Sequence, residues 1–230
     1  LNTKRINAAP DTSGNGAGGK GSACLHWYGR HIFPYIEILI TSGLRKIRRR
    51  LLGHARGRVV EIGAGAAENL AHLPAATHSY LATDPSMLMA GKAQQQIRRW
   101  GKPAFEARVI RADAANIPLG NESVDTMISF LVLCSVPDPF AALSEIHRVL
   151  RPGGRFLFFE HVQASRDSTI RLQNLVNPVW KRLGGNCHLN RETAAYIEQS
   201  GFRFEVFRYY RTPRMGPSIT CNVIEGVAGK

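Results

Sequence analysis

The stretch Val59–Asn69, "VVEIGAGAAEN", is an apolar, β-branched run that breaks into a glycine-rich turn. Short, apolar and closed by glycine, "RVVEIG" reads as a buried strand. The rest of the chain repeats the theme. "SYLATD", "FEARVIRAD", "SVDTMISFLVL" and "GRFLFFEHV" have the same strand character. Helical stretches stand between them: a short one from about Ala67 to Leu73 stopped by Pro74, "PSMLMAGKAQQQIRRWG" with Pro85 in its first turn, and "PFAALSEIHRVL" with Asp138 as its cap and Pro152 beyond its stop. A helix "RETAAYIEQSG" and two strands, "FRFEVFRYY" and "ITCNVIEGVA", close the chain. Strand and helix alternating this way predict an α/β, doubly wound parallel sheet covered on both faces, with its ligand at the carboxyl ends of the strands.

The totals agree with one such domain. The chain has 230 residues, of which 44% are apolar, an ordinary globular share. No apolar run is long enough to span a bilayer, and no signal peptide opens the sequence, so the expectation is a cytoplasmic protein. Cys24, Cys134, Cys187 and Cys221 form no C-x-x-C pair, which speaks against a zinc knuckle or a thioredoxin-type site. The net charge of +13 is uneven: residues 1–58 carry eleven Lys/Arg against two Asp/Glu. Much of that excess is "RKIRRR" at Arg45–Arg50. It reads first as a solvated helix face and second as a patch for an anionic membrane surface or RNA. It lacks the interleaved aromatics of a nucleic-acid platform, so no nucleic-acid partner is expected. Residues 1–24 are polar and glycine-rich and read as a flexible tail. Residues 25–56 read as an N-terminal helical lid and 57–230 as the main domain.

Three ligands compete for the glycine turn. A Walker-type phosphate loop requires a Lys that is not there. A dinucleotide fingerprint wants a third glycine where Glu68 stands, which weakens that reading without removing it. The third ligand, S-adenosylmethionine, has no phosphate and carries an ammonium and a sulfonium. It needs the close backbone approach that Gly63 and Gly65 allow, and it welcomes an acid such as Glu61. Asp84 closes the second strand about 20 residues on, where an acid grips ribose hydroxyls; that suits a dinucleotide equally. Asp113 closes the third strand, where its carboxylate or the adjacent amide can meet an adenine amino group.

The five segments "VVEIGAGAAEN", "LATDPS", "RADAANIP", "SVDTMISFLVLCSV" and "HRVLRPGGRFLF", from about Arg58 to Val162, together resemble class I S-adenosylmethionine-dependent methyltransferases. The resemblance implies a Rossmann-like sheet of seven strands in the order 3-2-1-4-5-7-6, the last one antiparallel. It also implies a cofactor-facing set of Tyr28, Glu61, Gly63, Ala64, Gly65, Asp84, Pro85, Met87, Asp113, Ala114 and Phe130. A narrower resemblance, through "FLVLCSVPDP", "FFEHV" and "NPVWKRLGGNCHLNRET", is to the thiol S-methyltransferases of the methyltransferase-like group. It implies a small thiol acceptor. That group begins with a hydrophobic membrane anchor, whereas the sequence here begins with a polar tail. The bacterial phosphatidylethanolamine N-methyltransferase type shares "VPDP" and "VLRPGG" and implies a phospholipid amine as the alternative acceptor. A non-catalytic S-adenosylmethionine-binding module is the third reading.

Methyl transfer asks the protein mainly to hold nucleophile and methyl about 3–3.5 Å apart and in line. Candidates to face the acceptor are Cys134 and Ser135 after the fourth strand, His161 beside Glu160 after the fifth, and His188 next to Cys187 in "GGNCHLNRET". His161 is the favoured base or orienting group and Cys134 the second catalytic candidate. Cys187 and His188 make a metal pair with no third ligand placed, so no metal is expected. In "HWYGRHIFPYIE", Tyr28 is expected to close over the cofactor and exclude water.

Overall fold

The computed structural model describes residues 43–101 and 105–230. Tyr28, Cys24 and the expected lid before residue 43 lie outside the described residues. Among those described, the helices are α1 (Arg45–Leu52), α2 (Met87–Arg99), α3 (Pro139–Val149), α4 (Asp167–Leu183) and α5 (Thr193–Gln199). The strands are β1 (Gly57–Ile62), β2 (Thr77–Thr83), β3 (Glu106–Ile110), β4 (Val124–Phe130), β5 (Leu150–His161), β6 (Arg203–Arg211) and β7 (Asn222–Gly229). They form one sheet in the order β3-β2-β1-β4-β5-β7-β6, with β1 to β5 parallel and β7 antiparallel to both its neighbours. The expected topology is the observed one.

Alternation along each strand feeds two cores. Val59, Ile128, Leu157 and Phe159 face one side with Leu52 of α1 and Ala93 and Ile97 of α2. Val60, Met127, Phe156 and Phe158 face the other with Leu143 and Ile146 of α3 and Ile197 of α5. Because both faces are covered, β4 is buried at all seven positions, and its polar members are paired: Asp125 accepts from the Arg58 amide at 2.6 Å, Thr126 from the Arg56 amide at 3.0 Å, and Ser129 donates to Glu160 at 2.6 Å. Gly226 in β7 is a tight point of the sheet. A Cβ there would press on the Val206 carbonyl oxygen and stand 2.5 Å from Phe158 Cζ. Gly226→Ala is expected to destabilise the fold by about 1–3 kcal/mol, the usual cost of overpacking, as read from thermal melts.

Several elements depart from the sequence expectation. The helix expected from Ala67 is a single 3-10 segment, Glu68–His72. β5 begins at Leu150, directly after α3, and takes in Leu150–Gly153 before the expected start at Gly154. α4 was not expected at all. Its inward face is polar: Gln173 and Asn177 are buried, while Leu172, Leu175, Val179 and Leu183 are exposed among the described residues. Gln173 accepts from the Ala164 amide at 2.8 Å and donates to the Ile219 carbonyl at 2.9 Å. Asn177 accepts from the Leu189 amide at 3.0 Å. α4 is therefore held to the loops at the sheet's carboxyl end by amide side chains. No helix among the described residues is long and apolar enough to cross a membrane.

The basic run divides. Arg45, Lys46 and Arg49 are exposed, as a solvated face requires. Arg50 bridges Glu225 at 2.5 Å, and Arg48 is buried.

Candidate active site

β1 delivers its glycine turn to the carboxyl edge of the sheet. Gly63 and Gly65 sit at φ +52° and +56°, and a Cβ on Gly63 would lie 2.6 Å from Val132 Cγ2. The first position of the turn therefore admits only glycine, which is what lets backbone approach a ligand there. The Ala64 amide donates to the Thr83 carbonyl at 2.9 Å, tying the turn to the tip of β2. Asp84 follows at that tip. Its carboxylate accepts from the Gly65 amide at 3.0 Å and the Ser86 amide at 2.8 Å. Burial raises its pKa, and these two bonds oppose the rise.

Glu61, just before the turn, is buried. It accepts from Asn69 Nδ2 at 2.6 Å and from the Tyr80 hydroxyl at 2.5 Å. Burial pushes its carboxyl up from 4.5 to about 7, against the lowering effect of Tyr80, Asn69 and the Arg48 cation; the Asp84 charge adds to the rise. The folded chain therefore holds a proton on Glu61 through a window, between 4.5 and about 7, in which the unfolded chain has released it. Glu61 makes the fold less stable as pH rises through that window. Glu61→Gln is expected to flatten that slope, read from urea melts at about pH 5 and about pH 8.

Sequence reasoning missed Arg48. Its guanidinium lies over the Phe130 ring at 4.7 Å, pairs with Glu68 at 2.6 Å and donates to Asn69 Oδ1 at 2.7 Å. Phe130 in turn stacks on Phe159, with centroids 4.7 Å apart. Arg48, Glu61, Gly63, Gly65, Met89 and Phe130 line a cleft of about 40 Å³, little more than the share of one water in the liquid. Met89 lines the cleft, whereas Met87, at the first position of α2, is 74% exposed. Pro85 is exposed beside it. Asp113 is exposed after β3, with Oδ1 accepting from the Ala115 amide at 2.9 Å, and Ala114 is buried next to it.

A second cluster stands beyond Phe130 and Phe159, at the ends of β4 and β5. Glu160 is fully buried and accepts from Ser129 Oγ at 2.6 Å and from the Val132 and Cys134 amides at 3.1 Å each. It shapes the turn after β4, and burial raises its pKa. His161 points instead to Cys187, with Nδ1 3.3 Å from Sγ. The two neighbours thus have separate roles, as their alternation in a strand requires. The loop carrying Cys187 is fastened to the turn after β4. The His188 amide donates to the Cys134 carbonyl at 2.8 Å and Asn186 Nδ2 to the Ser135 carbonyl at 2.6 Å. Buried Arg191 donates to the Leu133 and Val136 carbonyls at 2.5 and 2.7 Å. The sulfurs of Cys134 and Cys187 lie within 4.8 Å of each other; their interaction lowers the pKa of Cys187 and, with burial, raises that of Cys134. Cys187 thus partners Cys134 and His161 rather than His188.

Residues 60–158 match the methyltransferase domain family. The chain is 30% identical over 183 residues to the thiol S-methyltransferase TMT1B of Homo sapiens, covering 74% of this chain and 75% of that protein. Against TMT1B of Rattus norvegicus it is 45% identical over 85 residues, a match spanning 36% of this chain and 35% of that protein. A crystal structure of an S-adenosylmethionine-dependent methyltransferase from Thermotoga maritima superposes with a TM-score of 0.64 at 21% identity, covering 90% of this chain and 99% of that one. The chain belongs to the class I S-adenosylmethionine-dependent methyltransferases. It is an enzyme, its cofactor is S-adenosylmethionine, and its product from that cofactor is S-adenosylhomocysteine.

Proposed function

We propose that this methyltransferase methylates a small thiol and that the cleft at Gly63–Gly65 holds its cofactor. The donor set suits that ligand. A close-approach glycine turn offers backbone, Glu61, ionised above about pH 7, offers negative field to an ammonium or sulfonium, and Asp84 keeps lone pairs for a ribose diol. Asp113 and Ala114 stand at the neighbouring strand tip for the adenine. Arg48 reaches across the cleft, so an incoming cofactor displaces its guanidinium from between Glu68 and Phe130.

The observation that carries the thiol reading is the extent of the likeness to human TMT1B. Its 183 aligned residues reach well past the 60–158 methyltransferase domain. The acceptor end of the site, at the tips of β4 and β5, is closed by the loop around Cys187. When bound, S-adenosylmethionine supplies an electrophilic methyl: the acceptor sulfur, its proton lost, bonds to that carbon as the carbon–sulfonium bond breaks and the electron pair stays on the departing sulfur. The protein's share is to bind, to orient and to keep water out.

The test is mass spectrometry of products after incubation with S-adenosylmethionine and, separately, alkyl thiols, amines, phenols and phosphatidylethanolamine vesicles. A methyl thioether from the thiol arm is expected. Product in the amine or phospholipid arm alone would overturn the reading in favour of an N-methyltransferase.

A further inference from the structure

We propose that Cys134, His161 and Cys187 bind one zinc ion and leave its fourth position open to the sulfur of the acceptor. The second half of this inference rests on the thiol reading above; the first does not. The three side chains come from three elements: the turn after β4, the end of β5 and the loop after α4. Their ligand atoms all lie within 4.8 Å of one another, and all three residues are buried. Tetrahedral zinc, with bonds of about 2.0–2.1 Å to nitrogen and about 2.3 Å to sulfur, sets its ligand atoms about 3.6–3.8 Å apart. The 3.3 Å separation of His161 Nδ1 from Cys187 Sγ needs only a small opening to admit the ion.

The backbone around each ligand is already fixed. Glu160 holds the Cys134 amide, His188 the Cys134 carbonyl, and Arg191 the carbonyls on either side, at Leu133 and Val136. Asn177 holds the Leu189 amide, two residues beyond Cys187. A site held this way loses little freedom on binding an ion. Two sulfurs and one imidazole nitrogen are a donor set that suits zinc, and three protein ligands with a fourth position free is the pattern of zinc sites that take a substrate. The plain alternative is two small buried thiols and a core histidine. Against it, three ligand atoms from three separate elements converge within 4.8 Å, with His161 turning Nδ1 to Cys187 Sγ. A thiol entering the fourth position gives up its proton to solvent and binds as thiolate, the form that is nucleophilic.

The test uses the full chain, stripped with a chelator and kept reduced with a phosphine so that no added thiol competes. Zinc is expected to rebind at one ion per chain by elemental mass spectrometry. Cobalt in its place is expected to give the absorption of a tetrahedral sulfur-ligated ion, and an alkyl thiol should then shift that spectrum. Cys187→Ser and His161→Gln should each weaken zinc by more than about a hundredfold, beyond the loss from an outer partner. Circular dichroism and S-adenosylhomocysteine binding by the same variants show that they fold. Zinc well below one per chain, zinc unaffected by both substitutions, or a cobalt spectrum that no thiol moves would overturn the proposal. Full thiol methylation by the stripped protein would overturn the acceptor's place on the metal while leaving the thiol function standing. A thiol that shifts the cobalt spectrum yet is never methylated would sink the thiol function and leave the site.

Discussion

Asp84→Ala is expected to weaken binding of S-adenosylmethionine, and of S-adenosylhomocysteine, by on the order of 1.5–3 kcal/mol, roughly ten- to more than a hundredfold in Kd. An ionised carboxylate has about four lone-pair sites. Two are taken by the Gly65 and Ser86 amides, which fixes the group at the tip of β2 facing the glycine turn. The remainder can accept two hydrogen bonds from one vicinal diol, and alanine offers none. The substitution also frees the Gly65 amide, so the turn itself loses an anchor. Asp84→Asn separates the two effects: it keeps one oxygen for an amide and should fall between wild type and alanine. Calorimetry with S-adenosylhomocysteine gives the affinities, and thermal melts show how much of the loss is folding. An unchanged Kd in Asp84→Ala would place the ribose elsewhere.

Those features were readable because their signals are local. A β-branched run closed by glycine marks β1, and the acids at the tips of β2 and β3 follow within a few residues of their strands. The Asp138 cap is readable for the same reason, since it accepts from the Phe140 and Ala141 amides, whereas Pro85, expected in the first turn of α2, stands before its Ser86 N-cap. What stayed hidden depends on the fold. Arg48 sits in a basic run that reads as a wet face, but its helical phase sets it with Leu44, Leu51 and Leu52 on the buried side of α1. α4 gave no amphipathic signal because its inward side is Gln173 and Asn177, its exposed side carries leucines, and Pro178 interrupts it. Met87 and Met89 differ by two positions on a helix, which turns one outward and the other to the cleft. Cys187 and His161 are 26 residues apart in sequence, and no spacing rule joins residues from a loop and a strand tip.

Glu160→Ala is expected to cost on the order of 3–5 kcal/mol of folding stability, a large share of the roughly 5–15 kcal/mol available to a domain. The carboxylate is fully buried and is the acceptor for Ser129 Oγ and for the Val132 and Cys134 amides. Alanine would leave those donors buried and unpaired, and an unmet buried donor costs more than its hydrogen bond contributed. Glu160→Gln keeps one oxygen but sets an amide nitrogen against at least one donor, so its loss should be smaller but measurable. Urea melts give both values. The damage should also be local before it is global. Val132 packs over Gly63 and Cys134 stands beside His161 and Cys187, so the turn that Glu160 holds links the cleft at Gly63–Gly65 to the Cys134–His161–Cys187 cluster. In Glu160→Gln, amide exchange should therefore quicken first at Val132 and Cys134, while the β1–β2 pairing keeps its protection. If Glu160→Ala melts like the wild-type protein, Glu160 does not hold the turn after β4.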